Sequence, residues 1–539
     1  MLKGFLLFIL WSCSLSAQNF TKQDSLRGSL TKERTWWDVQ KYTLDVTVFP
    51  ETKMISGNNT ITYKVLSPYQ ILQFELQDPL QIDSILQDKN KLTYSKIGIS
   101  YFVNLIKKQK KNRLENITIY YHGQPKEAID PPWDGGIVWS KDPYQKPFIA
   151  TANQAIGASV WWPCKDHPAD EADAMQITVT CPTPLINVSN GKCTHITRNK
   201  NNTTSYTWEV NNPINDYGIS MNIANYANFS ETYYGLNGKL NCDYYVLSSN
   251  LLKAKVQFKD VAKTLKAFEY WLGPYPFYKD GYKLVEVPYL GMEHQSCIGY
   301  GNQYKKGYLG KPMGLSSWGL QFDYIIVHES GHEWFANSIT CKDVADLWIH
   351  ESFTTYAESL FVDYYYGTQA ANEYVQGLKP FVKNDKPIVG HFNVHNEGSG
   401  DMYFKGSLML HTLRQIVDDD VLWREILKEI NTKFYHQTVS GKTLIDFINS
   451  KTKLDVKPFF KQYLHTTDIP ELVLKQDGEF ISYQWKNTVA NFNIPVKTYL
   501  NHKKIWITPN TTTWQQVKGN ISDFTVDKNY YIHTNKNPN

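Results

Sequence analysis

The chain has 539 residues and a formal net charge of +4, from 56 Lys and Arg against 52 Asp and Glu. Charge so nearly balanced asks for no nucleic acid as a partner. The length is too great for one hydrophobic core and suggests about three domains, and the cysteines form no C-x-x-C pair, so neither a thiolate zinc site nor a dithiol redox motif is indicated.

Lys3, the apolar run Phe5 to Trp11 and the small residues from Ser12 to Ala17 read as a secretory signal over residues 1–17, with cleavage near Ala17. The run is too short to span a bilayer, so no transmembrane helix is expected in the mature chain. Leu10-Trp11-Ser12-Cys13 also reads as a lipoprotein cleavage site with Cys13 lipidated. Either way the chain is expected to be exported, to a periplasm or the exterior. Export permits a disulfide between Cys181 and Cys193, with free thiols as the equal alternative.

From about residue 36 the pattern alternates with period two: Tyr42, Leu44, Val46 and Val48 face one way, Thr43, Asp45 and Thr47 the other. Similar stretches recur at Thr60 to Val65, Leu72 to Leu76, Tyr101 to Ile106 and Ile117 to Tyr121, so 36–230 reads as a β-sandwich or saddle-like sheet. The lysine-rich stretch Lys107 to Lys111 reads as a solvated hairpin tip, and Tyr217 to Ile223 as the last strand of the domain. The period then becomes helical, with Phe258, Val261, Leu265, Phe268 and Leu272 at steps of three and four and Gly273-Pro274 as the stop. A short apolar run, Tyr282 to Val287, follows.

In His328-Glu329-Ser330-Gly331-His332 the two histidines lie four apart, so on a helix both imidazoles aim at one point. That point suits zinc, which at catalytic sites takes three protein ligands and leaves a fourth position to water. Glu351 follows after 18 intervening residues, enough to finish one helix, turn, and return a carboxylate from a second. Glu329 sits beside a ligand without being one, placed to take a proton from the water. Glu358 lies seven residues past Glu351 on roughly the same helix face, where it can orient a ligand histidine from behind or remain a surface carboxylate. His391 and His395, in an irregular stretch from Asn384 to Asp401, read as loop residues. Helical patterns continue to about Leu464, and strand-like alternation returns from about 469, as in Ile481, Tyr483 and Trp485.

H-E-x-x-H, 18 residues and then E resembles the zinc aminopeptidases of the aminopeptidase N and leukotriene hydrolase type, a gluzincin pattern. The likeness extends through Trp334-Phe335-Ala336-Asn337, Asp346-Leu347-Trp348 and Glu351-Ser352-Phe353, with His350 and Ser352 where the family usually carries Asn and Gly. The resemblance implies one zinc per chain on His328, His332 and Glu351. Gln154 to Pro168, QAIGASVWWPCKDHP, resembles the family segment whose leading Gln or Glu helps hold the substrate's amino end, a role that falls to Gln154. Gly291-Met292-Glu293-His294 resembles the family's G-x-M-E-N strand edge, which makes Glu293 the partner of the free α-amine. Leu290, Gly291 and His294 depart from that pattern, which bears on the pocket for the first side chain. Tyr403-Phe404-Lys405-Gly406 resembles the family's Y-x-K-G, and Tyr403, 52 residues after Glu351, is then the oxyanion donor. Many relatives carry a roofing all-helical domain, which this chain is expected to lack.

The expectation is a multidomain α+β protein: an N-terminal β-domain (36–230), a thermolysin-like, mostly α catalytic domain (231–467) and a small C-terminal β-domain (468–539). Its expected function is that of an exported zinc aminopeptidase acting on peptides with a free N-terminus. A metalloendopeptidase, a lipid-epoxide hydrolase of the same fold and a non-catalytic binding scaffold are the alternatives; retention of Glu329, Tyr403 and three ligands together argues against the scaffold.

Overall fold

The computed structural model describes residues 20–536, so the expected signal segment and Cys13 lie outside the described residues. Alternating burial along Trp37–Phe49 places Tyr42, Leu44, Val46 and Val48 inside, and this strand sits in the middle of an eight-stranded sheet. It pairs antiparallel with Met54–Val65 and parallel with Ala174–Pro182. A four-stranded and a three-stranded sheet share one buried cluster with it. The tryptophan pair of the VWWPC segment belongs to that cluster, and Trp162 meets Tyr42 edge-on at 4.8 Å. The loop that begins at Gln154 is thereby anchored in the β core a few residues downstream.

Tyr217 to Ile223 is mostly not a strand; only Asn222–Ala224 pairs. The reason is local capture of backbone amides by side chains: Gly218 N–H donates to Asn215 Oδ1 at 2.6 Å and Ser220 N–H to Asn190 Oδ1 at 2.7 Å. Cys181 and Cys193 are both free, the first buried and the second exposed. They lie on strands separated by Thr203–Val210, which pairs with both, so the two thiols are never neighbours.

Tyr226–Gly235 runs through position 230 and opens a five-stranded sheet with Gly238–Leu247, Tyr282–Glu286 and Ile298–Tyr300, ending on the short edge strand Gly291–Met292. Against it pack the helices Lys259–Leu272, Tyr324–Gly331, Trp348–Tyr366 and Phe404–Val417, whose buried residues form a single core. The strands after residue 470 form a four-stranded and a three-stranded sheet. Their inner residues, among them Leu472, Leu474 and Trp485, belong to the same core as the helices, as does Tyr531 in the loop between the last two strands, whose carbonyl accepts from Tyr463 Oη at 2.7 Å. The architecture is thus β-rich, then helical, then β-rich. Among the described residues no helix is long and apolar enough to cross a membrane.

Candidate active site

The helix carrying both histidines, Tyr324–Gly331, starts at Asp323, whose carboxylate accepts from the amides of Ile325 and Ile326. His332 caps its end. The chain then leaves helical geometry at Phe335 (φ −122°, ψ 92°) and Ala336 (φ 142°, ψ −52°). The break turns Phe335 O back to accept the Nδ1–H of His332 at 3.0 Å. Gly331 lets the second ligand helix, Trp348–Tyr366, come close, since a Cβ there would lie 3.1 Å from Thr354 Cγ2. His328 donates from Nδ1 to Glu358 Oε1 at 2.7 Å. With both Nδ1 atoms so occupied, both rings present Nε2 to the cleft.

The two Nε2 atoms are 3.3 Å apart, and Glu351 Oε2 lies 3.4 Å from that of His332 and 3.8 Å from that of His328. Ligands about 2.0–2.1 Å from a tetrahedral zinc are separated by about 3.3–3.4 Å, so the triangle has the size zinc requires. Glu351 Oε2 is buried and has no hydrogen-bond partner. Burial disfavours charge on His332, yet Glu351 and Glu293 outweigh it and raise the ring to about 9, which marks a place prepared for positive charge. Glu293, Glu329 and His332 also converge within 4.8 Å, but that set has one nitrogen and shares His332. The two oriented imidazoles and the orphaned carboxylate oxygen fit zinc better.

The other predicted residues surround this triangle. Glu329 is buried, and burial pushes its carboxyl up to about 7 against the pull of His328 and His332. Gly291 makes room for it, since a Cβ there would lie 2.9 Å from Glu329 Oε1. Gln154 reaches in from the β-domain and its Nε2 donates both to Glu293 Oε1 at 3.2 Å and to Glu351 Oε1 at 3.0 Å. It therefore ties the expected amine anchor to the third ligand, leaving its own Oε1 as the free acceptor. Tyr403 lies over His328, ring centroids 6.2 Å apart, and lines the cleft with Glu329 and Glu351. Burial, then the charges of Glu351 and Glu293, hold its phenol well above the ordinary value, so it stays an O–H donor. Glu358 is buried rather than at the surface. His294 is buried with neither ring nitrogen bonded, and burial pushes it down to about 3, so it is neutral packing under the strand edge.

Sequence reasoning missed several supports. Thr354 Oγ1 lies 3.1 Å from His332 Nδ1, and its place three residues after Glu351 on one helix was the available signal. Tyr374 donates to Glu358 Oε2 at 2.5 Å and Asn337 Nδ2 to the carbonyl of Glu293 at 2.8 Å; neither spacing gives a signal. His395, read as a loop residue, bonds through Nε2 to Ala155 O at 2.8 Å, beside Gln154.

Comparison with known proteins agrees with this geometry. The model of the Peptidase family M1 domain matches residues 257–463, and that of the Peptidase M1 N-terminal domain matches 39–217. A leucyl aminopeptidase of Saccharolobus solfataricus is 22% identical over 68% of this chain and 47% of its own length, and aminopeptidase B of Mus musculus is 25% identical over 56% and 46%. The chain thus spans about half the length of these curated relatives. Among solved structures, a variant of an M1 zinc metallopeptidase from Deinococcus radiodurans, described as bound to a Tyr-Ser-Ala substrate, has 19% identity, a TM-score of 0.67, and a match covering 80% of this chain and 95% of that one. Two M1 domain models in their order, the shared fold and a ligand triangle sized for zinc make this chain a member of peptidase family M1, the zinc metallopeptidases.

Proposed function

We propose that the protein is an exported zinc aminopeptidase that releases residues one at a time from the amino end of peptides. The observation that carries this reading is Glu293: a buried carboxylate held by Gln154 beside the ligand triangle, directly after the edge strand Gly291–Met292 where an extended chain can pair. A free α-ammonium placed against that anion makes a charge-assisted contact and puts the first peptide bond over the site. The peptide substrate named for the Deinococcus structure and the relatives named aminopeptidases support the substrate class. Export rests on the amino-terminal sequence.

Zinc on His328, His332 and Glu351 supplies Lewis acidity toward a carbonyl and a water. The remaining work is assigned to the chain's own groups. The carboxylate of Glu329 accepts the proton of the attacking water and delivers it to the departing amine; a value near 7 suits a group that must do both. The Tyr403 hydroxyl donates to the oxygen that gains negative charge. Glu358 and Phe335 O hold the two imidazoles by their Nδ1–H groups, while Gln154 and Glu293 hold the amine.

Digestion of one ten-residue peptide, free and N-acetylated, followed by mass spectrometry tests the reading. Acetylation removes the cation and leaves the buried Glu293 without a cationic partner, so the acetylated form should be nearly inert and the free form should shorten stepwise from its amino end. Equal cleavage of the two forms, or a first cut inside the chain, would replace the aminopeptidase by an endopeptidase.

A further inference from the structure

Behind the Gln154–Glu293 pair lies a second cavity, between the β-domain and the catalytic helices. Gln154 and Glu293 line both it and the zinc cleft, so it begins where the amine is anchored. A side chain leaving the α-carbon of an amino-terminal residue has this space within reach.

The lining carries no cationic side chain, and several of its buried polar atoms are unpaired. Asn153 Oδ1 and Asp216 Oδ1 have no hydrogen-bond partner, though the residues are only 0% and 6% exposed. Asn153 spends its amide on Ile219 O at 2.9 Å, and Asp216 has a long bond from Tyr42 Oη, at 3.5 Å, to its other oxygen and a contact with the Cys164 thiol. The carboxylate of Glu397 borders the same space, half-buried. No Lys or Arg lines the cavity. Burial pushes the nearby His167 and His395 down to about 3 and about 4, so they add no charge. Arg27 of the short helix Lys22–Gly28 is turned to the carbonyls of Ala155 and Ile156. Its charge is felt by Glu397 and Asp166, yet it forms no ion pair. Val344, Leu347 and the Tyr217 ring, stacked on His350 at 6.4 Å, give apolar walls.

We propose, on the aminopeptidase reading above, that this cavity receives the side chain of the substrate's first residue and selects arginine or lysine, with Glu397 as the specificity-determining carboxylate. The aliphatic stem runs along Val344, Leu347 and Tyr217 while the charged head reaches Glu397, an arrangement suited to long basic side chains. A guanidinium also brings five donors to the unpaired oxygens of Asn153 and Asp216. Burial, with Asp166 and Asp170 nearby, holds the Asp216 carboxyl well above its ordinary range, and an incoming cation gives it reason to ionise.

The test is calorimetric binding of free L-arginine and L-methionine, side chains of similar length, to the zinc-loaded wild type, Glu397→Gln and Glu397→Asp. It is paired with kcat/KM for N-terminal Arg and Met peptides, and thermal unfolding verifies that each variant is folded. Arginine should bind wild type at least about tenfold tighter than methionine. Glu397→Gln should abolish that preference while changing methionine less than about twofold, and Glu397→Asp should retain most of it. Equal affinities in wild type, or equal losses for both ligands in Glu397→Gln, would overturn the assignment. Internal cleavage of peptides would remove the aminopeptidase reading instead, and the binding comparison would still decide on the cavity.

Discussion

Replacing Glu358 by Gln should weaken zinc binding without unfolding the protein. Glu358 is fully buried, with one oxygen 2.7 Å from His328 Nδ1 and the other accepting from Tyr374 Oη at 2.5 Å. A Gln keeps the shape: its carbonyl still accepts from His328, and its amide can donate to a rotated Tyr374 hydroxyl. The negative charge that makes the imidazole a stronger ligand is what disappears. Outer partners of metal-bound histidines typically contribute about 10- to 100-fold in affinity, which at about 1.4 kcal/mol per decade is roughly 1.4–2.8 kcal/mol. The same range follows independently from a hydrogen bond to a charged group, at about 1.5–3 kcal/mol. Competition against a chromogenic chelator near neutral pH measures the affinity directly. With zinc in excess the variant should regain kcat within a few-fold, because no reacting atom is touched. Unchanged zinc affinity would refute the role of Glu358, and loss of activity that excess zinc does not restore would mean that it does more than orient His328.

Glu329→Gln should retain one zinc, measured by metal analysis, and lose nearly all hydrolysis, because an amide accepts no proton; loss of the metal would move Glu329 into the ligand set. Tyr403→Phe should lower kcat by about 100- to 1000-fold with KM little changed, and a fall below about threefold would assign the oxyanion to another donor. Glu171 offers a pH test away from the zinc. Burial pushes its carboxyl up from 4.5 to about 8, although Thr340 Oγ1 donates to it. A folded value above the unfolded one means that its contribution is fully present below about pH 4.5 and lost as pH rises through about 8. Glu171→Gln should therefore unfold like wild type near pH 5 but be more stable near pH 9, by up to about 5 kcal/mol. Equal pH dependence of the two melting curves would show that Glu171 ionises freely.

Histidines four apart on a helix share a face whatever surrounds them, so His328, His332 and the neighbouring Glu329 were legible from local spacing, and Glu351 and Glu358 from the next helix. Period-two alternation marked Trp37–Phe49, and steps of three and four ending at Gly273 marked Lys259–Leu272, because each reflects one face turned inward. Gln154, Glu293 and Tyr403 were found through resemblance, since nothing in their local pattern distinguishes them.

Tertiary structure alone decided the rest. The bonds from Gln154 to Glu293 and Glu351 span 139 and 197 residues and depend on how the β-domain seats against the helices. Sheet order kept Cys181 from Cys193, and side-chain capture of backbone amides bent residues 217–221 out of a strand. Glu397 and His395 lie in a stretch without periodicity, and only packing of Lys22–Gly28 and the Gln154 loop around them makes a cavity wall. A helix face or strand face is set by bond geometry between neighbours in the chain, and so it is written locally. Which distant faces meet is set by the summed packing of the whole molecule, and no short stretch of sequence carries that sum.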